Sequence, residues 1–109
     1  MKRGEIWAMA GGSGYAGKPR PVLIVQDDAF AERDSVTVCL ITTDSADLPV
    51  FRIAVDPNAE NVLRATSRLM VDKVTTEPKS RLGQCIGRLA DADLLRLNRS
   101  LLVFLGLAR

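Results

Sequence analysis

Hydrophobic positions along this chain fall in short strand-like runs, some alternating with a period of two and some continuous, and switch to a helical period only near the end. Glu5-Ile6-Trp7-Ala8-Met9 alternates and predicts a first strand. Val22-Leu23-Ile24-Val25 is a continuous, β-branched-rich run introduced by prolines, too short for a helix, and predicts a buried strand. Gln26-Asp27-Asp28 closes it. Ser35 to Thr43 is the clearest strand, and Phe51 to Val55 alternates again and stops at Asp56-Pro57. Arg68 to Val71 predicts a shorter strand, and Gln84 to Leu89 another. Beyond them Asp91 reads as an N-cap, and Leu94, Leu97, Leu101 and Phe104/Leu105 recur at helical spacing until Gly106.

Five or six short strands followed by one amphipathic helix leave no room for the long crossovers that parallel strands need. The expected fold is therefore mainly β, a strongly curled antiparallel sheet or small barrel with helical packing, in one domain spanning 1–109. No repeat, linker or low-complexity tract interrupts it.

Composition narrows the chemistry. With 47% apolar and 26% charged residues the chain has ordinary globular content, and its net charge of +2 is compatible with a phosphate-bearing partner without requiring one. The absence of histidine removes His-based acid–base catalysis, triads with a His base and nearly all zinc chemistry. Cys39 and Cys85 lie in apolar stretches and read as buried free thiols of a reducing compartment. No segment has the pattern of a signal peptide or the length of a membrane span, so a cytoplasmic location is expected.

Two motifs in the loop Ala10–Gly17 fail on context. Gly12-Ser13-Gly14-Tyr15-Ala16-Gly17 spells G-x-G-x-x-G, but a dinucleotide site needs a helix to begin there, and Pro19, Pro21 and a β-branched run come next instead. Gly12, Gly17 and Lys18 also match most of a P-loop, yet Pro19 stands where a hydroxyl must hold magnesium.

A lysine and an arginine close that loop. Lys18 and Arg20 each precede a proline, which holds both in extended backbone. Arg20 shares a side with Val22 and Ile24 and sits at the strand mouth; Thr42 shares a side with Val38 and Leu40 at the end of the third strand. If the two strands pair as an antiparallel hairpin, Arg20 and Thr42 flank one pocket beneath the glycine-rich loop. The alternative is structural: a salt bridge for Arg20 and a turn cap for Thr42.

Arg3-Gly4-Glu5-Ile6-Trp7, Arg20 to Gln26, and Ile41-Thr42 carry a family resemblance, as do Val71-Asp72-Lys73, Gly87-Arg88-Leu89 and Leu105-Gly106-Leu107. In order and spacing the chain resembles the MazF/PemK (Kid) toxins of type II toxin–antitoxin modules over essentially its whole length. That resemblance implies an SH3-like β-barrel homodimer acting as a metal-independent, cofactor-free endoribonuclease on single-stranded RNA. It also implies an antitoxin whose acidic, disordered segment folds onto the toxin. The family's key arginine and threonine fall on Arg20 and Thr42. Cleavage would then use the RNA's own 2′-hydroxyl, with the guanidinium stabilising charge on the phosphate. Lys18 is expected to contact backbone phosphate, Asp72 to accept from a base edge or cap a turn, and Tyr15 to stack on a base. Gly17, Gln26 and Lys73 complete the expected RNA-binding set.

The chain departs from many relatives in the small, apolar-leaning Ser13-Gly14-Tyr15-Ala16 and in Met70, where some carry arginine. Two rival readings share the fold: a protein-directed inhibitor resembling the gyrase poison CcdB, and a non-catalytic nucleic-acid binder. Neither needs the arginine–threonine pair.

Overall fold

The structure is a computed structural model that describes residues 1–11, 18–44 and 51–108. Among the described residues six strands, β1 (Glu5–Met9), β2 (Arg20–Ile24), β3 (Ser35–Thr42), β4 (Arg52–Val55), β5 (Ser67–Pro78) and β6 (Leu82–Arg88), precede one helix, α1 (Asp91–Phe104). The strands form one antiparallel sheet in the order β4-β5-β3-β2-β1-β6. Short 3-10 turns at Asp28–Phe30 and Lys79–Arg81 link neighbouring elements of the chain.

The continuous apolar run of β2 is explained by its central place in the sheet. Leu23 joins a cluster with Ile6, Cys39, Ile41, Leu69 and the helix residue Leu97, while Val22 and Ile24 join Met9, Val36 and Val38 on the other face. A strand buried on both faces has no reason to alternate. Strand β1 alternates because its second face is only partly covered, by Trp7 against the smaller cluster.

Strand β5 is far longer than the expected Arg68–Val71, because a break in its ladder hides the continuation. Cys39 pairs with Val74, but the next residue, Leu40, pairs with Met70. Val71-Asp72-Lys73 therefore stand out of the ladder as an expanded bulge, which bends the strand. Val71 turns into the core and donates its N–H to Phe51 O at 2.9 Å.

The Arg3-Gly4 pair locks three elements together. Arg3 donates from Nε to Val25 O at 2.8 Å and from Nη2 to Asn98 Oδ1 of α1 at 2.7 Å. Gly4 has φ +91°, donates to Ile24 O and accepts from Leu89 N, so a side chain there would be strained. Gly87 serves a different need. A Cβ at that position would lie 2.6 Å from the carbonyl oxygens of Glu60 and Asn61, so only glycine admits the loop that crosses β6.

Asp91 is the first residue of α1 and not its N-cap; Ala90 occupies that position without a side-chain hydrogen bond. Asp91 still faces the positive helix end and pairs with Arg88. The C-terminus is a Schellman motif around Gly106, with Gly106 N–H to Val103 O and Leu107 N–H to Leu102 O. The apolar stripe of the helix is buried only at its middle. Leu97 is fully covered, whereas Leu102, Val103, Phe104, Leu105 and Leu107 are exposed.

The connection after β4 is built around the buried Asn61, whose Oδ1 accepts from Asn58 N and Leu63 N and whose Nδ2 donates to Asp56 O. The next residue, Val62, is exposed and has φ +57°, a conformation that crowds a β-branched side chain. Val62→Asn is expected to raise stability by about 0.5–1 kcal/mol, since asparagine tolerates this region. The check is a melting temperature higher by a few degrees; an unchanged or lower value would show that the turn stores no strain.

Candidate active site

The site is assembled by register. Val22 pairs with Leu40 and Ile24 with Val38. Carried two residues further, that register sets Arg20 across from Thr42, and Met9 of β1 lies across from Arg20 on its other side. Directly opposed residues point to the same face of a sheet. Arg20 and Thr42 accordingly line one cleft of about 350 Å³ with Met9, Leu40, Met70 and Thr75. The hairpin geometry expected from the sequence is the one observed, with strand β2 beginning at Arg20 itself.

Two charged residues of this cleft were not anticipated from the sequence. Glu77 and Arg81 line it, joined by an ion pair of 2.9 Å, and Arg81 also donates to Ala10 O at 2.6 Å. They sit at the end of β5 and in the turn before β6, so only the length of β5 carries them to Arg20. The spacing Glu77-x-x-x-Arg81 was a visible signal, but charge pairs at that spacing are common on solvated surfaces.

Thr42 serves as a turn cap and also lines the cleft. Its Oγ1 accepts from Asp44 N–H at 3.1 Å, closing the strand as a turn cap. A hydroxyl that accepts one bond still has its own proton to donate. Thr42 can thus be held in place by the backbone while offering O–H to a phosphate oxygen.

The other expected binding residues disperse. Lys18 is exposed, two residues before the start of β2. Tyr15 and Gly17, with the rest of the G-x-G-x-x-G stretch, lie outside the described residues; the chain beyond that stretch enters a strand, not a helix. Gln26 lies beyond the far end of β2, where its Oε1 accepts from Thr37 N and its Nε2 donates to Phe30 O. Asp72 is clamped by Arg52, with Nε to Oδ1 at 3.0 Å and Nη2 to Oδ2 at 3.2 Å, a bidentate pair that engages both oxygens. Lys73 stands exposed on the same bulge. Neither Asp72 nor Lys73 lines the cleft of Arg20 and Thr42.

The cysteines differ from expectation in one respect. Both are free, but only Cys39 is buried; Cys85 is exposed because β6 is an edge strand with little over its outer face. Burial pushes the Cys39 thiol up to about 12, a rise that the Met70 backbone partly opposes. Thiol titration of the native protein with an aromatic disulfide at pH 8 is expected to modify one cysteine, Cys85, and denaturation to release the second. Two fast thiols in the native state would contradict the burial of Cys39.

Comparison with known proteins agrees with this architecture. The family described as PemK-like, MazF-like toxin of type II toxin–antitoxin system matches residues 2–105. A protein of Mycolicibacterium smegmatis named as a probable endoribonuclease MazF is 51% identical over 108 residues, covering 99% of either chain. Among solved structures, a mycobacterial endoribonuclease in complex with its cognate antitoxin superposes with a TM-score of 0.82 at 25% identity, covering 100% of this chain and 98% of that one. The Mycobacterium tuberculosis toxin MazF-mt6 superposes with a TM-score of 0.79 at 28% identity, covering 96% and 99%. With its six-stranded antiparallel sheet, C-terminal helix and near-complete family match, this chain belongs to the PemK-like, MazF-like toxins of type II toxin–antitoxin systems.

Proposed function

We propose that this toxin is an endoribonuclease that cuts single-stranded RNA in the cleft of Arg20 and Thr42, and so inhibits translation and growth. The observation that supports the reading is the antiparallel β2–β3 pairing, by which Arg20 and Thr42 both line one cleft at one strand end. The relatives named as endoribonucleases supply the reaction class.

Cleavage runs through the substrate's own 2′-hydroxyl. That oxygen attacks the adjacent phosphorus in line and loses its proton, the P–O5′ bond breaks, and the 5′ oxygen takes up a proton. The products are a 2′,3′-cyclic phosphate and a 5′-hydroxyl. Arg20 places two N–H donors on the non-bridging oxygens, where negative charge builds. With a pKa above ~12, a guanidinium serves charge stabilisation far better than it serves as a base. Thr42 donates its hydroxyl to the same phosphate. Lys18 contacts a flanking phosphate.

The reading extends to assembly and setting. The exposed apolar end of α1, from Leu102 to Leu107, is a surface that a second copy of the chain would cover in a homodimer. A cognate antitoxin with an acidic segment would silence the toxin, and the pair would act in the cytoplasm. No described helix is long and apolar enough to cross a membrane. The protein-directed inhibitor is the weaker reading, because such an inhibitor has no use for an arginine and a threonine converging on one cleft.

The test is incubation of the pure protein with a long unstructured RNA and a metal chelator. Discrete fragments with 5′-hydroxyl and cyclic phosphate ends are expected. Intact RNA, or fragments with 5′-phosphate ends, would reject cleavage through the 2′-hydroxyl.

A further inference from the structure

A second cluster of charge lies beside the active cleft and is unused by the cleavage chemistry. Arg52, Arg68, Arg96 and Arg99 line a shallow cleft of about 440 Å³ between β4, β5 and α1, together with Ile53, Ala54 and Ser100. Among the described residues, no acidic side chain lines it. The carboxylates that pair with its arginines, Asp72 on Arg52 and Asp93 on Arg96, number two against four guanidinium groups. The excess of two positive charges equals the net charge of the whole chain.

The arginines are positioned by ordinary structural contacts. Arg52 is fixed by its two bonds to Asp72, and Arg68 donates to Asp44 O at 3.1 Å. Arg96 donates to Ala54 O at 3.1 Å, which tethers the helix to β4, the last strand of the described sheet on that side. Arg99 and Ser100, three and four residues further along α1, share that helical face. Arg99 makes no ion pair among the described residues. A guanidinium already ordered for structural reasons loses little further freedom when it meets a phosphate.

Register joins this cleft to the first one. Thr42 pairs with Arg68, and Arg68 pairs with Ala54; two residues along, Leu40 pairs with Met70 and Met70 with Arg52. Arg20, Thr42, Arg68 and Ala54 therefore stand in one row across four adjacent strands, on one face. At about 4.8 Å per strand, Arg68 lies roughly 10 Å from Arg20 along the row. A chain of phosphates leaving Arg20 meets Arg68 next and reaches the α1 arginines only around the β4 edge, where Arg96 holds Ala54 O, because α1 packs on the opposite face.

We infer that the Arg52–Arg68–Arg96–Arg99 cleft is a phosphate-backbone track, which holds the single-stranded RNA flanking the bond cut at Arg20 and Thr42. The inference rests on the endoribonuclease reading for the identity of the ligand. The track binds without reading bases, since it offers guanidinium groups to phosphates and its described lining includes no aromatic platform for stacking.

The test measures binding with fully 2′-O-methylated oligonucleotides, which lack the attacking hydroxyl and cannot be cut. Two lengths are used, roughly 4 and roughly 16 nucleotides, spanning the site sizes of small β-barrel binders. Arg96→Gln/Arg99→Gln is expected to weaken the long probe by about tenfold at 0.1 M salt and to lower its salt slope by about one, with the short probe unchanged. Arg99→Gln alone keeps every described structural contact; it should carry a share of the loss at an unaltered melting temperature. Equal weakening of both lengths, or none for the long probe, overturns the track. So does a dependence on these arginines shown by polyglutamate and not by the oligonucleotide, which would make the cleft a seat for an acidic protein segment. Failure of the chelator-resistant cleavage assay alone would sink the catalytic reading while leaving this binding result to stand or fall independently.

Discussion

Replacing Arg20 with alanine is expected to lower the rate of RNA cleavage by roughly a hundredfold or more. A preorganised donor facing charge that develops only in the transition state is worth about 3 kcal/mol, and each ~1.36 kcal/mol is tenfold in rate. The effect should fall on kcat more than on KM, because the phosphate of bound RNA carries less charge than the one undergoing attack. Arg20→Lys separates charge from geometry. It keeps the positive charge but loses the two-pronged fork, so it is expected to recover only part of the rate. Arg20 is exposed at the first position of β2, between Pro19 and Pro21, and the rates are compared at a temperature where melting curves show wild type and variants folded. Single-turnover cleavage of one defined RNA by the wild type and both variants decides the matter. Equal rates for the wild type and Arg20→Ala would remove Arg20 from the chemistry.

The largest expected effect on stability comes from the other end of the chain. Leu97 is fully buried and joins α1 to a core containing Ile6, Leu23, Leu69 and Leu89. Leu97→Ala should cost about 2–5 kcal/mol, since it removes apolar burial and leaves a cavity that the sheet cannot close. Against a total stability of about 5–15 kcal/mol, that is a large fraction. The melting temperature should drop by roughly 10–20 °C. Leu95, half exposed on another side of the same helix, is the control, and Leu95→Ala should change stability by less than about 0.5 kcal/mol. Similar losses for the two variants would mean that the helix does not pack through Leu97.

The fold was legible where one face of an element is buried and the other wet, or where a run is too short and too β-branched to be helical. β1 and the period of α1 belong to the first kind and β2 to the second; β3, which buries Val36 and Val38 on one face and Cys39 and Ile41 on the other, was legible from its apolar, β-branched-rich run. The second half of β5 was not legible, because Asp72 and Lys73 interrupt the alternation where the ladder breaks. The exposure of Cys85 escaped notice for a related reason. An apolar neighbourhood in sequence does not say whether a strand lies at the centre of a sheet or at its edge.

The candidate site divides along the same line. Arg20 stood out because two prolines hold it extended, and Thr42 because a strand visibly ends there. Glu77, Arg81 and the arginine cleft gave no comparable signal, since their residues are scattered over several elements. Asp72 could be picked out in the chain, but its partner Arg52 lies twenty residues away on β4.

What this sequence determined by itself is a set of local preferences: which segments extend, where the helix runs, that histidine chemistry is absent, and that Arg20 is mounted on stiff backbone. Those follow from dihedral restrictions and side-chain periodicity, which act over a few residues. Tertiary structure alone decided that Arg20 and Thr42 line one cleft, that Asp72 belongs to Arg52, and that four arginines from β4, β5 and α1 line another. Strand order and register produce those neighbours, and both are set by the packing of the whole sheet.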